Sequence, residues 1–167
     1  MKEAFGGIFS IQWIIIFLVV VNCFLAFGVN YTKAFRVKNE IRSIIERQEG
    51  LTCSAKRQIK ELLLANHYHQ NSNFTTWCSN HGYTPANVDG MYFCYKYNPV
   101  STTGDGAIDP SQIKGAYYTI ATFVDINIPI FDRIFAEIAG GLFLVKGETA
   151  MIYSANATEG FTACTSD

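Results

Sequence analysis

The chain has 167 residues, a formal net charge of −1 and an isoelectric point near 6.3. This length provides one domain with a single modest core. The nearly balanced charge, without a basic stripe carrying interleaved aromatic residues, argues against nucleic acid as a partner. Hydrophobic residues make up 49% of the chain, and they are concentrated near its N-terminus.

The N-terminal segment predicts a membrane-spanning helix. No charged residue occurs between Ala4 and Thr32, and residues 8–29 are long enough to cross a bilayer as a helix. Residues 1–7, which include Lys2, then form a candidate leader peptide. We therefore expect a single pass through the cell membrane, followed by an exposed domain.

A cleaved secretory signal is an alternative interpretation of the same segment. Residues 26–28, Ala-Phe-Gly, have the small-x-small pattern of a signal-peptidase site. However, the apolar run is longer than the usual core of a signal peptide, and the helical pattern continues beyond it. Both observations favour an uncleaved anchor.

Residues 30–49 predict an amphipathic helix that continues directly out of the membrane. One face carries residues at three- and four-residue steps, namely Ala34, Val37, Ile41, Ile44, Ile45 and Gln48. Two pairs of opposite charges stand four residues apart on the other face and support the helix: Arg36 with Glu40, and Arg42 with Glu46. Together, the two segments predict about 40 residues of helix, roughly 60 Å at 1.5 Å per residue.

A second helix is predicted after Gly50, which we expect to end the first helix. Ser54 is its predicted N-cap, and the helix extends to about Tyr68. Its predicted buried stripe comprises Ala55, Ile59, Leu62, Leu63 and Asn66.

The remaining sequence predicts three strands separated by loops and a short helix. Loops are expected at 70–89 and 102–110, strands at 91–97, 117–128 and 142–153, and a helix at 130–139. The order helix, helix, strands indicates an α+β fold in which a small antiparallel sheet packs on the long helix. Residues 50–167 are therefore expected to form one α+β domain that includes the second helix.

The five cysteines divide into one in the anchor and four in the domain. Cys23 is interpreted as an inert small hydrophobe. The other four allow three pairings, and their even number in a small, loop-rich domain indicates disulfides in an oxidising compartment. We favour Cys78 with Cys94, which would clamp the predicted loop, and Cys53 with Cys164, which would hold the C-terminal tail.

The two signals for membrane orientation disagree. Disulfides place the domain outside the cytoplasm. The charges that flank the anchor indicate the opposite, because basic residues are more numerous on the domain side than beside Lys2. We expect an extracytoplasmic domain, since a cleaved leader or dedicated assembly machinery can override the charge of short loops.

No metal site is expected. His67, His69 and His81 could combine with Cys78 and Cys94, but the spacings fit no standard zinc pattern.

A calcium site has little support either. Asp105, Gly106 and Asp109 resemble part of a calcium loop that lacks the remaining ligands and the closing glutamate. We therefore expect neither a metal nor another cofactor.

Catalysis is not indicated. The chain has no Gly-x-Ser-x-Gly elbow, phosphate-binding glycine loop or His-Glu-x-x-His pair. Asp125 and Asp132 bracket a predicted turn, and lone carboxylates of this kind are usually solvated. The sequence predicts a protein that is not an enzyme.

The N-terminal segment, MKEAFGG followed by an apolar helix, resembles the start of type IV prepilins. The resemblance implies cleavage after Gly7 by a prepilin peptidase, with Ile8 as the new N-terminus. Gln12 would be the fifth mature residue, followed by the aromatic Trp13. This order of glycine, polar residue, aromatic residue and single helix is similar to the TadE-like pseudopilins of the Tad (Flp-type) pilus system.

The resemblance continues into the domain and touches about half of the chain. The basic and acidic helix NYTKAFRVKNEIRSIIERQEG and the strands YYTIATFVDINIPIF and LFLVKGETAMIY are similar to those of TadE-like proteins. In that family a proline closes one strand and a Gly-x-Thr motif lies in the last. Residues 51–115 match nothing that we can place.

Gln12 departs from the family, in which a glutamate is thought to pair with the freed amine of a neighbouring subunit. An amide can accept a hydrogen bond from that amine but cannot neutralise it. This difference favours a minor subunit over the bulk filament subunit, with Gln12 setting helix register.

The sequence therefore predicts a pseudopilin-like structural subunit whose partners are the membrane and other pilin-like subunits. It would act by helix packing in the membrane and by surface binding through the exposed sheet and the loop around Cys78 to Cys94. The alternative is a secreted or membrane-anchored extracellular binding domain unrelated to pili.

Overall fold

The computed structural model describes residues 2–68, 73–101, 113–123, 144–153 and 159–161. In chain order the elements are α1 (Lys2–Arg47), α2 (Cys53–Ala65), α3 (Asn73–Asn80), β1 (Thr84–Val88), β2 (Met91–Ser101), β3 (Ile113–Phe123) and β4 (Leu144–Glu148). A long N-terminal helix is thus followed by shorter helices and an antiparallel sheet, which confirms the α+β prediction.

Helix α1 is continuous over 46 residues, about 69 Å at 1.5 Å per residue. The predicted apolar stripe of its second half is buried at Ala34, Val37, Ile41, Ile44 and Ile45. The last member, Gln48, is only half-buried and lies just past the helix. Both predicted charge pairs form, because Arg36 Nε donates to Glu40 and Arg42 Nε donates to Glu46, each at 2.8 Å.

Two predicted helix boundaries differ in detail from the structure. Helix α1 ends at Arg47, and the first residue with left-handed backbone is Glu49 (φ 53°), ahead of Gly50 (φ 140°). The N-cap of α2 is Thr52, whose hydroxyl accepts from the Ala55 amide at 3.1 Å. The predicted N-cap, Ser54, lies inside the helix.

The buried face of α2 is narrower than predicted. Ala55, Ile59 and Leu63 are buried, whereas Leu62 and Asn66 are half-buried. Asn66 is instead the C-cap, and its amide N–H donates to the Leu62 carbonyl at 3.1 Å.

The predicted loop at 70–89 is wrong, because this segment contains helix α3 and strand β1. Strand β1 tolerates Pro85 since it lies at the edge of the sheet. It is joined to β2 by Asp89 (φ 52°) and Gly90 (φ 82°). Positive φ at both positions is typical of the two-residue turn that matches the twist of a hairpin.

The sheet has the order β1-β2-β3-β4, and every neighbouring pair is antiparallel. Strand β2 extends beyond the predicted residue 97, β3 begins before the predicted residue 117, and β4 ends at Glu148. Ile152 continues the pairing as an isolated bridge to Ala116. The predictions at 102–110, 124–128 and 130–139 lie outside the described residues.

Each face of the sheet has its own apolar cluster. The inner face packs against α1 and α2 and forms the larger cluster, to which Phe93, Tyr118 and Ile120 contribute fully buried side chains. The outer face carries a smaller cluster of Cys78, Cys94, Ala121 and Phe123, which lies under Trp77 of α3. The long helix is therefore part of the main core.

Candidate functional site

The first half of α1 exposes its apolar side chains. Helix α1 is long and apolar enough to cross a membrane, and none of its most apolar part is buried within the protein. Exposed large side chains run along this half from Ile11 to Val29. In length and composition, this half of α1 therefore agrees with the predicted spanning helix.

Two polar side chains in this part of α1 are satisfied by the helix itself. The Asn22 side-chain amide donates to the Leu18 carbonyl at 2.7 Å, and the Thr32 hydroxyl donates to the Gly28 carbonyl at 2.8 Å. Internal hydrogen bonds of this kind lower the cost of placing polar side chains in an apolar environment.

The predicted processing residues lie at the start of α1. Gly7 and Ile8 have helical backbone, and Gln12 is exposed about one turn further on. None of these observations tests cleavage, so the roles of Gly7, Ile8 and Gln12 stay predictions.

Two hydrogen bonds tie the domain to one level of α1. The Lys33 ammonium donates to the His67 carbonyl at 2.8 Å. His67 lies just past α2 and has left-handed backbone (φ 47°). The buried Thr122 hydroxyl donates to the Ala34 carbonyl at 3.0 Å. Phe123, at the end of β3, is tied to the same level because its amide donates to the hydroxyl of Tyr68, the residue after His67, at 3.0 Å.

The Gly-x-Thr motif joins β4 to both the sheet and α1. The Thr149 hydroxyl accepts from the Tyr118 amide, and the Thr149 amide donates to the Tyr118 carbonyl, each at 2.9 Å. The hydroxyl thus replaces a strand carbonyl, and the next amide, of Ala150, donates to Glu46 of α1 at 2.6 Å. This motif therefore has a structural explanation in the present chain.

Gly147, the first residue of the motif, makes room for a lysine. A Cβ atom at this position would lie 2.9 Å from Lys38 Cδ and 3.0 Å from its Nζ. Lys38 is 6% exposed, and its ammonium lies 4.2 Å from the centre of the Phe35 ring. Burial, and to a lesser degree the positive charge of Arg42, lower the pKa of Lys38.

The outer face of the sheet is open beside α3. Polar and aromatic side chains surround a shallow concavity of about 550 Å³, namely Tyr83, Lys96, Asn98, Tyr117, Thr119, Lys146 and Glu148. Both lysines and Glu148 are exposed. The Asn98 amide donates to the Thr119 hydroxyl at 3.0 Å, which fixes the centre of this surface.

A disulfide and an aromatic stack belong to the outer-face cluster that includes Tyr83, one of the residues lining the concavity. Cys78 of α3 and Cys94 of β2 are joined, with their Cα atoms 5.9 Å apart, as the sequence predicted. The His81 ring stacks on Trp77 at 4.0 Å between centres. The Lys146 ammonium lies 5.4 Å from the centre of Tyr83, within the range of a cation–π contact.

The remaining cysteines divide as follows. Cys53, the first residue of α2, takes part in a disulfide, and its predicted partner, Cys164, lies outside the described residues. Cys23 is a free thiol in α1.

In the part of the chain that the structure describes, the side chains considered for a metal site do not come together. Within the described residues, no group of three or more His, Cys, Asp or Glu side chains could hold a metal ion. Cys78 and Cys94 are consumed by their disulfide, and His81 lies against Trp77. His69, Asp105, Asp109, Asp125 and Asp132 fall outside the described residues.

Sequence reasoning did not identify the individual residues of the outer face. The signal that could have found them is the alternation along β2, in which Tyr95 and Tyr97 face the core while Lys96 and Asn98 face outward. The chain matches no family model, curated protein or solved structure. Its functional interpretation therefore depends on its own residues.

Proposed function

We propose that this chain is a pseudopilin-like structural subunit of a Tad or type IV-like pilus or secretion assembly. The anchor of the subunit crosses the cell membrane once and holds an extracytoplasmic domain. It acts by assembly rather than by catalysis, with other pilin-like subunits as partners and a prepilin peptidase as processing enzyme.

The continuity of α1 is the observation that carries this proposal. One uninterrupted helix exposes apolar side chains over its first half and contributes Val37, Ile41 and Ile45 to the core over its second. A subunit that assembles by packing membrane helices needs this coupling, because a rigid helix transmits the position of the anchor to the domain. The resemblance of the N-terminal segment to type IV prepilins and TadE-like pseudopilins indicates that the assembly is a pilus or a related secretion assembly.

The N-terminus of the protein recovered from membranes tests this proposal. With an active prepilin peptidase, we expect the chain to begin at Ile8 by N-terminal sequencing and intact mass. The variant Gly7→Val should keep Met1, whereas Gly6→Val, one residue from the cut, is the matched control and should still be processed. A start at Met1 in the unmodified chain would contradict processing.

A second candidate is an extracellular binding domain unrelated to pili. The open outer face with Tyr83, Lys96, Asn98 and Tyr117 favours it, since aromatic and polar groups around a concavity are typical of ligand sites. Mechanical shearing of cells separates the two candidates. The pseudopilin should be recovered in the filament fraction, and the binding domain should stay with the membrane or in the soluble fraction.

A further inference from the structure

The level of the bilayer surface on α1 follows from the charge-free segment. Hydrocarbon matched to residues 8–29 ends near Val29, and the headgroup layer adds about 5–7 Å on each side. At 1.5 Å per residue this layer reaches roughly Lys33 or Ala34. These are the two residues of α1 that hold His67 and Thr122 by hydrogen bonds.

The domain therefore has no spacer between itself and the anchor. Its ties to α1 lie about 6 Å beyond Val29, four residues along the helix. Helix α2 runs back toward this level. Arg47, the last residue of α1, bonds Gln58 near the middle of α2 at 2.7 Å, while Lys33, further back on α1, bonds His67 just past the C-terminal end of α2. The C-terminal end of α2 is thus one of the parts of the domain nearest to the membrane.

Exposed apolar side chains concentrate at this level of α1 and α2. In the described part of the chain beyond Val29, four large hydrophobic residues are exposed: Tyr31 (42%), Phe35 (45%), Leu64 (51%) and Tyr153 (74%). The first three lie within about one helical turn of the ties at Lys33 and His67. The fourth lies beside Gly115, near the opposite end of β3.

Basic groups accompany these side chains. The Arg36 side chain is 71% exposed and pairs with Glu40. The Lys38 ammonium lies over the Phe35 ring, although Lys38 itself is buried. Aromatic rings next to basic groups are typical of the membrane–water interface, where the ring contacts acyl chains and the charge contacts phosphate.

We propose that this edge of the domain, formed by Tyr31 and Phe35 of α1 with Leu64 and His67 at the end of α2, rests on the lipid headgroup layer. The proposal rests on the membrane anchor of the proposed function. It adds a second lipid contact outside the spanning segment, which holds the domain at a defined height and limits its tilt on the bilayer.

Helix α2 offers a matched pair of positions for the test. Leu64 and Arg57 are both exposed, and seven residues place them on the same face, about 10 Å apart along the axis. Leu64→Cys and Arg57→Cys are each introduced into full-length protein carrying Cys23→Ser. An environment-sensitive fluorophore is attached without reducing agent, so that the disulfides stay intact.

The labelled proteins are reconstituted at low protein-to-lipid ratio into phosphatidylcholine vesicles, with and without a headgroup-attached nitroxide quencher. We expect the label at residue 64 to be quenched several-fold more strongly than the label at residue 57, and to show blue-shifted emission. Circular dichroism of both variants should match that of the parent protein.

Equal and weak quenching at both positions in membrane-bound protein would overturn the proposed contact while leaving the anchor in place. Blue-shifted emission at residue 64 that grows with protein density, without quenching by the lipid nitroxide, would assign this edge to a second copy and also overturn it. Protein that is extracted from the vesicles by alkaline carbonate would instead contradict the membrane anchor, and with it the proposed function.

Discussion

The two halves of α1 both carry large apolar side chains, yet they are adapted to different surroundings. In the first half, side chains such as Leu18 and Leu25 are more than 50% exposed on all sides of the helix, as expected for a segment that faces lipid. In the second half, the buried residues follow one stripe, which includes Lys38, and the other charged residues lie outside it. One continuous helix can therefore present an apolar surface on all sides in its first half and a single buried stripe in its second, because its side-chain pattern changes while its backbone does not.

The largest difference between the halves should appear when the same charge is introduced into each. Ile45→Arg buries an unpaired charge at a fully buried position, so we expect a loss of more than about 4 kcal/mol and an unfolded domain. Leu18→Arg should leave the domain folded but cost about 2.5–3.5 kcal/mol on membrane insertion. Near-ultraviolet circular dichroism and membrane fractionation measure the two effects. A folded Ile45→Arg domain would contradict the assignment of this half to the core.

A truncation should show the same contrast without adding charge. Ile41→Ala removes a fully buried side chain and should lower the free energy of unfolding by about 2–5 kcal/mol. Leu25→Ala, at a position 64% exposed, is the control and should leave the denaturant midpoint of the domain unchanged. Equal midpoints for the two variants in detergent would show that the halves do not differ as described.

The cysteines offer a third comparison between anchor and domain. Replacing both Cys78 and Cys94 by serine opens a disulfide that spans 16 positions, which should cost about 2–4 kcal/mol and loosen Trp77 on the outer face. Cys23→Ser is the matched control in the anchor and should have no effect on domain stability. Tryptophan fluorescence during denaturation reports both, and a wild-type midpoint in the double variant would contradict the clamp.

Glycine-to-alanine substitutions should cause a smaller loss of stability, which again differs between the domain and the first half of α1. A Cβ atom at Gly115 would lie 2.7 Å from the Ile152 carbonyl oxygen, so Gly115→Ala should cost about 1–3 kcal/mol. At Gly147 the neighbour is the flexible end of Lys38, and alanine should cost less.

In the first half of α1, a Cβ atom at Gly28 would meet no atom from outside its own stretch of helix within 4 Å, so alanine at this position should leave the domain unaffected. Thermal unfolding of the three glycine variants ranks these costs. A Gly28→Ala variant as damaged as Gly115→Ala would mean that the first half also packs inside the protein.

The smallest predicted effect is a change in stability at alkaline pH. Burial raises the pKa of Tyr95, Tyr97 and Tyr118 above the ordinary value of about 10. The folded protein then keeps protons that the unfolded chain releases. This contribution is complete below about pH 10 and is lost as the pH rises through the raised values.

Denaturant midpoints measured between about pH 8 and 11, at steps of about half a pH unit, would show this decline in stability. Tyr118→Phe should reduce its slope, and Tyr153→Phe, at a ring 74% exposed, is the matched control. Identical slopes for Tyr118→Phe and the parent would contradict the role of burial.

Particular elements show how far local sequence predicts this fold. The stripe of α1 was predicted correctly because helical periodicity is a local property. Strand β1 was missed although Asp89-Gly90 is a strong hairpin signal, because Pro85 and the polar residues around it suggested a loop. Thr52 and Ser54 are both acceptable N-caps, and the hydroxyl of Thr52 is the one that accepts a free amide of the first turn of α2, that of Ala55.

The outer face shows the limit of such reasoning. Lys96 and Lys146 line one concavity but belong to β2 and β4, which do not pair directly. Their proximity depends on the order of the strands and on the register of β3 between them, neither of which is encoded by any one segment.

The sequence by itself determined the long helix, its change from an all-round apolar surface to a one-sided stripe, and the α+β class, because hydropathy and periodicity act over a few neighbouring residues. Only the tertiary structure decided how the domain is attached to that helix. The bonds from Lys33 to His67, from Ala150 to Glu46 and from Thr122 to Ala34 join positions 34, 104 and 88 residues apart. Such pairs form once the packing of the buried faces has brought the segments together, and no local pattern specifies them.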